Sequence, residues 1–244
     1  MARVNERPRV AWVTGASGSL GRAVVARLAR DGWAGVASGG RRPPDGLPAS
    51  WHGMASALDD PTAARAAAMA AVSRWGRLDL AVLAAGGWEG GSGLAGPAGD
   101  GLLERLWRIN TETAWHSARA AAAAMAGGAA APGPRAIVLV AAFGALAVPA
   151  GAGQAAYRAS KAAIASLADA LTSDLGAQGI GVFAVAPTTL DTAANREAMP
   201  GADRSSWVSV DDLADLVAFL ATPAAALLAG SVLPASRRVQ FDHT

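Results

Sequence analysis

Thr14-Gly15-Ala16-Ser17-Gly18-Ser19-Leu20-Gly21 joins an apolar run of strand character, Arg9 to Thr14, to a helical run, Leu20 to Arg30. A glycine-rich turn between a first strand and a helix is the setting that dinucleotide binding requires. Gly15 permits the tight turn, Gly21 permits close helix packing, and the free N–H groups at the helix start face a pyrophosphate. Such a turn is weak evidence alone, so the runs after it matter. Strand-like stretches at Trp33 to Ser38, His52 to Ala57, Leu78 to Ala84, Ala136 to Ala141, Ile180 to Val185 and Ser231 to Leu233 alternate with helical ones. The helical stretches are Pro61 to Trp75, Leu102 to Met125, Gln154 to Leu175 and Val210 to Ala221. This alternation predicts an α/β fold, a parallel sheet with helices on both faces. The Gly- and Pro-rich segments Gly39 to Pro48, Gly86 to Gly101 and Gly127 to Pro134 read as loops. No interdomain linker interrupts the pattern, and 244 residues with 52% apolar content suit one domain, residues 1–244.

The computed isoelectric point of 9.9 accompanies a net charge of only +2. Almost nothing titrates between neutrality and pH 10 in a chain with no Cys, one Tyr and one Lys. The high value therefore implies no nucleic-acid footprint, and the arginines are scattered. Without cysteine, thiol catalysis and thiolate metal sites are excluded. His52, His116 and His243 lack ligand spacing, so no metal is expected. Met1 to Val10 carries charges and Pro8 with no apolar core, and no 18-residue run reads as a membrane span. A soluble, cytoplasmic protein is the expectation.

The single tyrosine and the single lysine stand four positions apart, in Tyr157-Arg158-Ala159-Ser160-Lys161. On a helix, positions i and i+4 share a face. A nearby ammonium favours the phenolate and is expected to lower the pKa of the phenol, as a general acid or base requires.

Together these residues resemble the short-chain dehydrogenase/reductase family over essentially the whole chain. The resemblance implies a Rossmann-type doubly wound sheet of about seven strands in the order 3-2-1-4-5-6-7, with a nicotinamide dinucleotide across the carboxyl ends of the strands. It also implies a cofactor site of Gly15, Ser17, Ser19, Leu20, Gly21, Asp59, Ala85, Gly86, Tyr157, Lys161, Pro187, Leu190 and Thr192. Ser19 stands where the family's middle Gly is usual, Asp59 takes the acidic position after strand three, and Ala84-Ala85-Gly86 reduces the strand-four segment. The catalytic set would be Asn110, Tyr157 and Lys161: Tyr157 as proton donor, Lys161 on the nicotinamide ribose, Asn110 linking Lys161 to solvent through water. The family's catalytic serine is missing, because its place falls on Gly144. From Ala118 to Ala159 there is no Ser or Thr.

One subgroup, the quinonoid dihydropteridine reductases, is similar in detail, including that gap. Gly86-Gly87-Trp88-Glu89-Gly90-Gly91 matches its GGWxGG, and Thr189 to Trp207 matches its TLDTxxNRxxMPxADxSSW. The resemblance implies hydride transfer to a flat conjugated acceptor such as a quinonoid dihydropterin, with Trp88, Gly144 and Asn195 at the substrate. After strand two, Ser38-Gly39-Gly40-Arg41-Arg42 has no acid and two arginines, which suit the 2′-phosphate of NADP. NADPH is expected over NADH, and Arg41 and Arg42 join the cofactor site. The family also implies a homodimer or homotetramer, with Leu102 to Met125 and Gln154 to Leu175 as interface elements. Two other readings stay open: an NADPH-dependent imine or ketone reductase of specialised metabolism, and a catalytically silent dinucleotide-binding protein.

Overall fold

The computed structural model describes residues 8–90, 101–128, 133–146 and 153–236. The expected loops Gly86 to Gly101 and Gly127 to Pro134 fall partly outside these residues, as do Met1 to Arg7 and His243. Six strands appear where the alternation placed them: β1 (Val10–Thr14), β2 (Ala34–Gly39), β3 (Trp51–Ala55), β4 (Leu80–Leu83), β5 (Arg135–Val140) and β6 (Ile180–Pro187). Two short strands, β7 (Leu190–Asp191) and β8 (Val208–Ser209), pair only with each other, and β9 (Val232–Ala235) completes the main sheet. Its order is β3-β2-β1-β4-β5-β6-β9, with every pair parallel. The expected 3-2-1-4-5-6-7 holds, the last strand being ninth in the chain because the β7–β8 ribbon precedes it.

Alternate residues of each strand face opposite sides. Trp12, Ala81, Leu83, Ile137 and Leu139 join one buried layer, while Ala11, Val13, Leu80, Val82 and Val138 join the other. The helices α1 (Ser19–Arg30) and α7 (Val210–Leu220) cover the second layer; α2 (Pro61–Trp75), α4 (Thr113–Gly127) and α5 (Ala155–Leu175) cover the first. Ala64, Ala67, Ala68 and Ala71 of α2 meet Ala114, Ala118, Ala121 and Ala124 of α4, and small side chains at helical spacing let the two axes approach closely.

Local chemistry sets the ends. Asp60 caps α2 by accepting the N–H groups of Thr62 and Ala63 (2.9 and 3.3 Å), Pro61 opens it, and Gly76 closes it in the left-handed region at φ 80°. Ser209 caps α7 in the same way, with Asp211 and Asp212 in its positive first turn.

The helical stretch expected from Leu102 to Met125 is present, with a change of winding inside it: α3 (Leu102–Leu106) runs into a π-helical turn, Trp107–Glu112, before α4 begins. Asn110 lies in that turn, with its side chain buried there. A further short helix, α6 (Ala193–Ala198), and 3₁₀ turns at Phe143–Ala145, Gly176–Gln178 and Pro223–Leu228 complete the described residues.

Candidate active site

The glycine-rich turn delivers β1 into α1 at the carboxyl rim of the sheet. Gly15 adopts φ 64°, and a Cβ there would stand 2.7 Å from the carbonyl oxygen of Ala84. At Gly21 a Cβ would stand 2.4 Å from the carbonyl oxygen of Gly15. No side chain caps α1 and no acid lies in its first turn. The N–H groups of Ser19, Leu20 and Gly21 thus lack intrahelical partners and form a positive helix end suited to a pyrophosphate. Ser17 and Ser19 are exposed, so serine in place of the middle glycine crowds nothing. Thr14 Oγ1 accepts the Ala85 N–H at 3.0 Å, binding this turn to the chain after β4.

At the end of β2 the loop folds back on itself. A Cβ on Gly39 would lie 2.2 Å from the Arg42 carbonyl oxygen and 2.7 Å from Ser17 Oγ. Any side chain here, an acid included, is shut out by backbone, whereas Arg41 and Arg42 are exposed at the loop's tip. Asp59 sits in the turn after β3, its carboxylate 3.8 Å from Arg108 Nε, an exposed and weak pair.

Helix α5 carries Tyr157 and Lys161 on one face. Lys161 is 7% exposed and its Nζ donates to the Val140 carbonyl at 3.0 Å, at the carboxyl end of β5. Burial lowers its pKa to about 8. The phenol of Tyr157 is half-buried, and burial raises its pKa. The expected lowering by Lys161 is therefore corrected: the ammonium is directed to a carbonyl, and desolvation governs the phenol.

Asn110 is fully buried in the π turn. Its Oδ1 accepts the Gly87 N–H at 2.9 Å, and its Nδ2 donates to the Gly87 carbonyl and to Ser160 Oγ, both at 3.1 Å. Thr111, next along the turn, donates to the Ser160 carbonyl at 3.1 Å. A Cβ on Gly86 would come within 2.5 Å of Asn110 Oδ1 and 3.4 Å of Lys161 Nζ. Ala85-Gly86-Gly87 is thus small because Asn110 and Lys161 occupy the space beside it. Sequence reading missed Ser160, Thr111 and Thr14 as partners; the signal was a polar residue on an otherwise apolar helix face or strand.

After β4, Trp88 is 61% exposed, and Arg105 reaches Glu89 at 2.7 Å. Gly91, which ends the glycine-tryptophan motif, lies outside the described residues. A Cβ on Gly144, in the turn after β5, would meet nothing within 4 Å. Pro187 ends β6, Leu190 lies in β7, and Thr192 caps α6 by accepting the Asn195 N–H at 3.2 Å. Asn195, expected at the substrate, lies at the start of α6, where its Nδ2 donates to the Leu190 carbonyl at 2.8 Å and closes the β7–α6 turn.

The profile of the short chain dehydrogenase family matches residues 9–203, which include the turn, the π-turn asparagine and the Tyr157–Lys161 helix. The chain belongs to the short-chain dehydrogenase/reductase family. Its members are NAD(P)-dependent oxidoreductases, and this chain is an oxidoreductase of that type. A cyclic-di-GMP-binding biofilm dispersal mediator protein of Escherichia coli is 30% identical, covering 90% of this chain and 92% of that protein. An uncharacterized NAD-dependent oxidoreductase of Mycobacterium tuberculosis is 29% identical, covering 94% of both. Among solved structures, a blue fluorescent protein from a metagenomic library, in complex with NADPH, superposes with a TM-score of 0.76 at 27% identity, covering 95% of this chain and 98% of that one. A short-chain dehydrogenase/reductase of Serratia marcescens gives 0.75 at 27% identity, with 93% and 95% covered. Among the described residues no cluster of His, Asp and Glu could hold a metal ion, and no helix is long and apolar enough to cross a membrane.

Proposed function

We propose that the protein is an NADPH-dependent reductase of a flat, conjugated acceptor of the quinonoid dihydropterin type. The observation that carries the reductase reading is the buried Lys161, one helical turn from Tyr157 at the carboxyl rim of β5. The acceptor class rests on the Thr189 to Trp207 segment, on the exposed Trp88 as a stacking wall, and on the open space at Gly144.

The residues present fit the dinucleotide. Ser17, Ser19, Leu20 and Gly21 would hold its pyrophosphate against Gly15, Asp59 its adenine, Ala85 and Gly86 its middle, and Pro187, Leu190 and Thr192 its far end. Arg41 and Arg42 would take the 2′-phosphate, and the steric closure at Gly39 removes the place for an acid that would favour NADH. When bound, the cofactor supplies the hydride. Tyr157 supplies the proton: burial keeps its phenol protonated, and Oη donates to a nitrogen or oxygen of the acceptor. The phenolate left behind is reprotonated from solvent. A conjugated acceptor relieves an unfavourable electron arrangement on taking the hydride, so it needs less polarisation than a ketone and no serine at residue 144. The π turn, α4 and α5 line a groove of about 520 Å³ with Trp107 and Trp115 exposed at 40% and 44%. In this reading a second copy covers it, in a homodimer or homotetramer.

A panel of quinonoid pterins, ketones and cyclic imines, followed at the cofactor absorbance with NADPH and with NADH, tests the proposal. Faster reduction of the pterins with NADPH is expected. In the Arg41→Ala/Arg42→Ala double variant, NADPH should weaken by about 2–4 kcal/mol, taking about 1–2 per charge-assisted contact, while NADH changes little. Turnover confined to imines or ketones overturns the acceptor class; binding without turnover of any acceptor leaves a silent dinucleotide-binding protein.

A further inference from the structure

The hydroxyl of Ser160 is fully buried at the junction of two helices. It donates to the Tyr157 carbonyl at 2.8 Å and accepts from Asn110 Nδ2 at 3.1 Å. The Ser160 carbonyl in turn accepts from Thr111 Oγ1 at 3.1 Å. Asn110 and Thr111 are consecutive, and in a regular α-helix consecutive side chains diverge by about 100°. The π winding of Trp107–Glu112 brings both onto one residue of α5. Through Asn110 the same network grips both backbone groups of Gly87. One serine therefore connects the chain after β4, the π turn and the first turn of the catalytic helix.

We propose that Ser160 is a positioning residue, through which the π turn fixes the rotation of α5 and so the placement of Tyr157 and Lys161. This rests on reading those two as the proton-delivering pair. A hydroxyl bonding to its own helix is common and by itself positions nothing. Thr172, lower on α5, makes such a bond to the Ala168 carbonyl at 2.9 Å, and among the described residues its hydroxyl reaches no other element. It is the natural control.

The chain has one tyrosine and one lysine, so both groups are observed without assignment. The ultraviolet absorbance of tyrosinate titrates Tyr157 alone, and NMR of protein grown with carbon-13-labelled lysine reports Lys161 alone. In Ser160→Ala the Tyr157 titration should fall back towards its ordinary 10.0 and that of Lys161 should rise from about 8, while Thr172→Ala changes neither. Turnover should drop about tenfold or more, since small misplacements of a reacting group cost up to about 10²-fold. Thr111→Val, which removes only the bond to the Ser160 carbonyl, should shift both titrations in the same direction by less, and serves if Ser160→Ala does not fold. Unchanged titrations in these variants overturn the proposal. A wild-type protein that reduces no acceptor would sink the functional reading and leave the titration test standing.

Discussion

Two buried charges at opposite rims of the sheet meet opposite fates. At the amino ends, Asp79 is 3% exposed and saturated: Arg77 donates to its Oδ1 at 2.6 and 3.1 Å, and the Val10 N–H donates to its Oδ2 at 2.8 Å. Arg9, over the Trp33 ring at 4.0 Å, closes the cluster through the Pro134 carbonyl. At the carboxyl ends, Lys161 is also buried, yet among the described residues its one hydrogen bond goes to a neutral carbonyl. A buried charge that is fully paired holds strands together; one without an opposite charge is held there at the expense of stability. The contrast marks the rim where the chemistry lies.

The largest effect is expected at the paired rim. Asp79→Ala strips Arg77 and the Val10 N–H of their partner and should destabilise the fold by about 3–5 kcal/mol, read by denaturant unfolding. Activity per folded molecule should stay near wild type. A strong loss of turnover in the folded fraction would erase the division of labour between the rims. At the other rim, Tyr157→Phe should lower turnover by about 10²-fold, or about 2.7 kcal/mol, with NADPH affinity and stability almost unchanged. Wild-type turnover in that variant would remove the phenol from the mechanism.

Lys161 sharpens the comparison through pH. Its pKa is about 8 folded and near 10.5 unfolded. Between those values the unfolded chain binds the extra proton, so the cofactor-free protein should gain stability as pH rises from about 8 towards 10. Above the ordinary tyrosine value of 10.0 the slope reverses, because burial holds Tyr157 protonated in the folded chain while the unfolded chain ionises. Lys161→Met should abolish the rise and, at neutral pH, stabilise the fold by about 1–3 kcal/mol, since an apolar side chain replaces an uncompensated charge. The same variant should lose turnover and cofactor affinity together. A flat stability profile in the wild type would mean that Lys161 is solvated.

Much of this was legible in the sequence. Strong apolar periodicity placed all seven main strands to within about two residues, and the stretch Pro61 to Trp75 matched α2 at both ends. What periodicity could not show is where a helix changes its winding. Trp107 to Glu112 reads as ordinary helix, and the π turn appears only when Asn110 must reach Gly87 and Ser160 at once. The β7–β8 ribbon was hidden for another reason: two residues per strand carry no pattern. In the site, spacing found Tyr157 and Lys161 and the glycine turn found the helix end. One effect eluded it because burial depends on how the whole fold packs: Tyr157 answers to desolvation rather than to the lysine beside it.

The smallest effect is expected at Gly144, where the family's serine is absent. A Cβ there meets nothing within 4 Å, and the turn Phe143–Ala145 does not place Gly144 in the left-handed region. A side chain therefore fits without strain, and the unfolded chain loses conformational freedom. Gly144→Ser should be neutral or stabilising by up to about 1 kcal/mol. If the open space is room for a flat ring against Trp88, the new hydroxyl helps nothing that the acceptor needs. Pterin reduction should remain within about twofold of wild type or slow slightly through crowding, with at most weak ketone reduction appearing. A tenfold gain on the native acceptor, about 1.4 kcal/mol of transition-state stabilisation, would show that the reaction needs a hydroxyl donor. The gap at this rim would then be a deficiency in the site, and the conjugated-acceptor reading would fall with it.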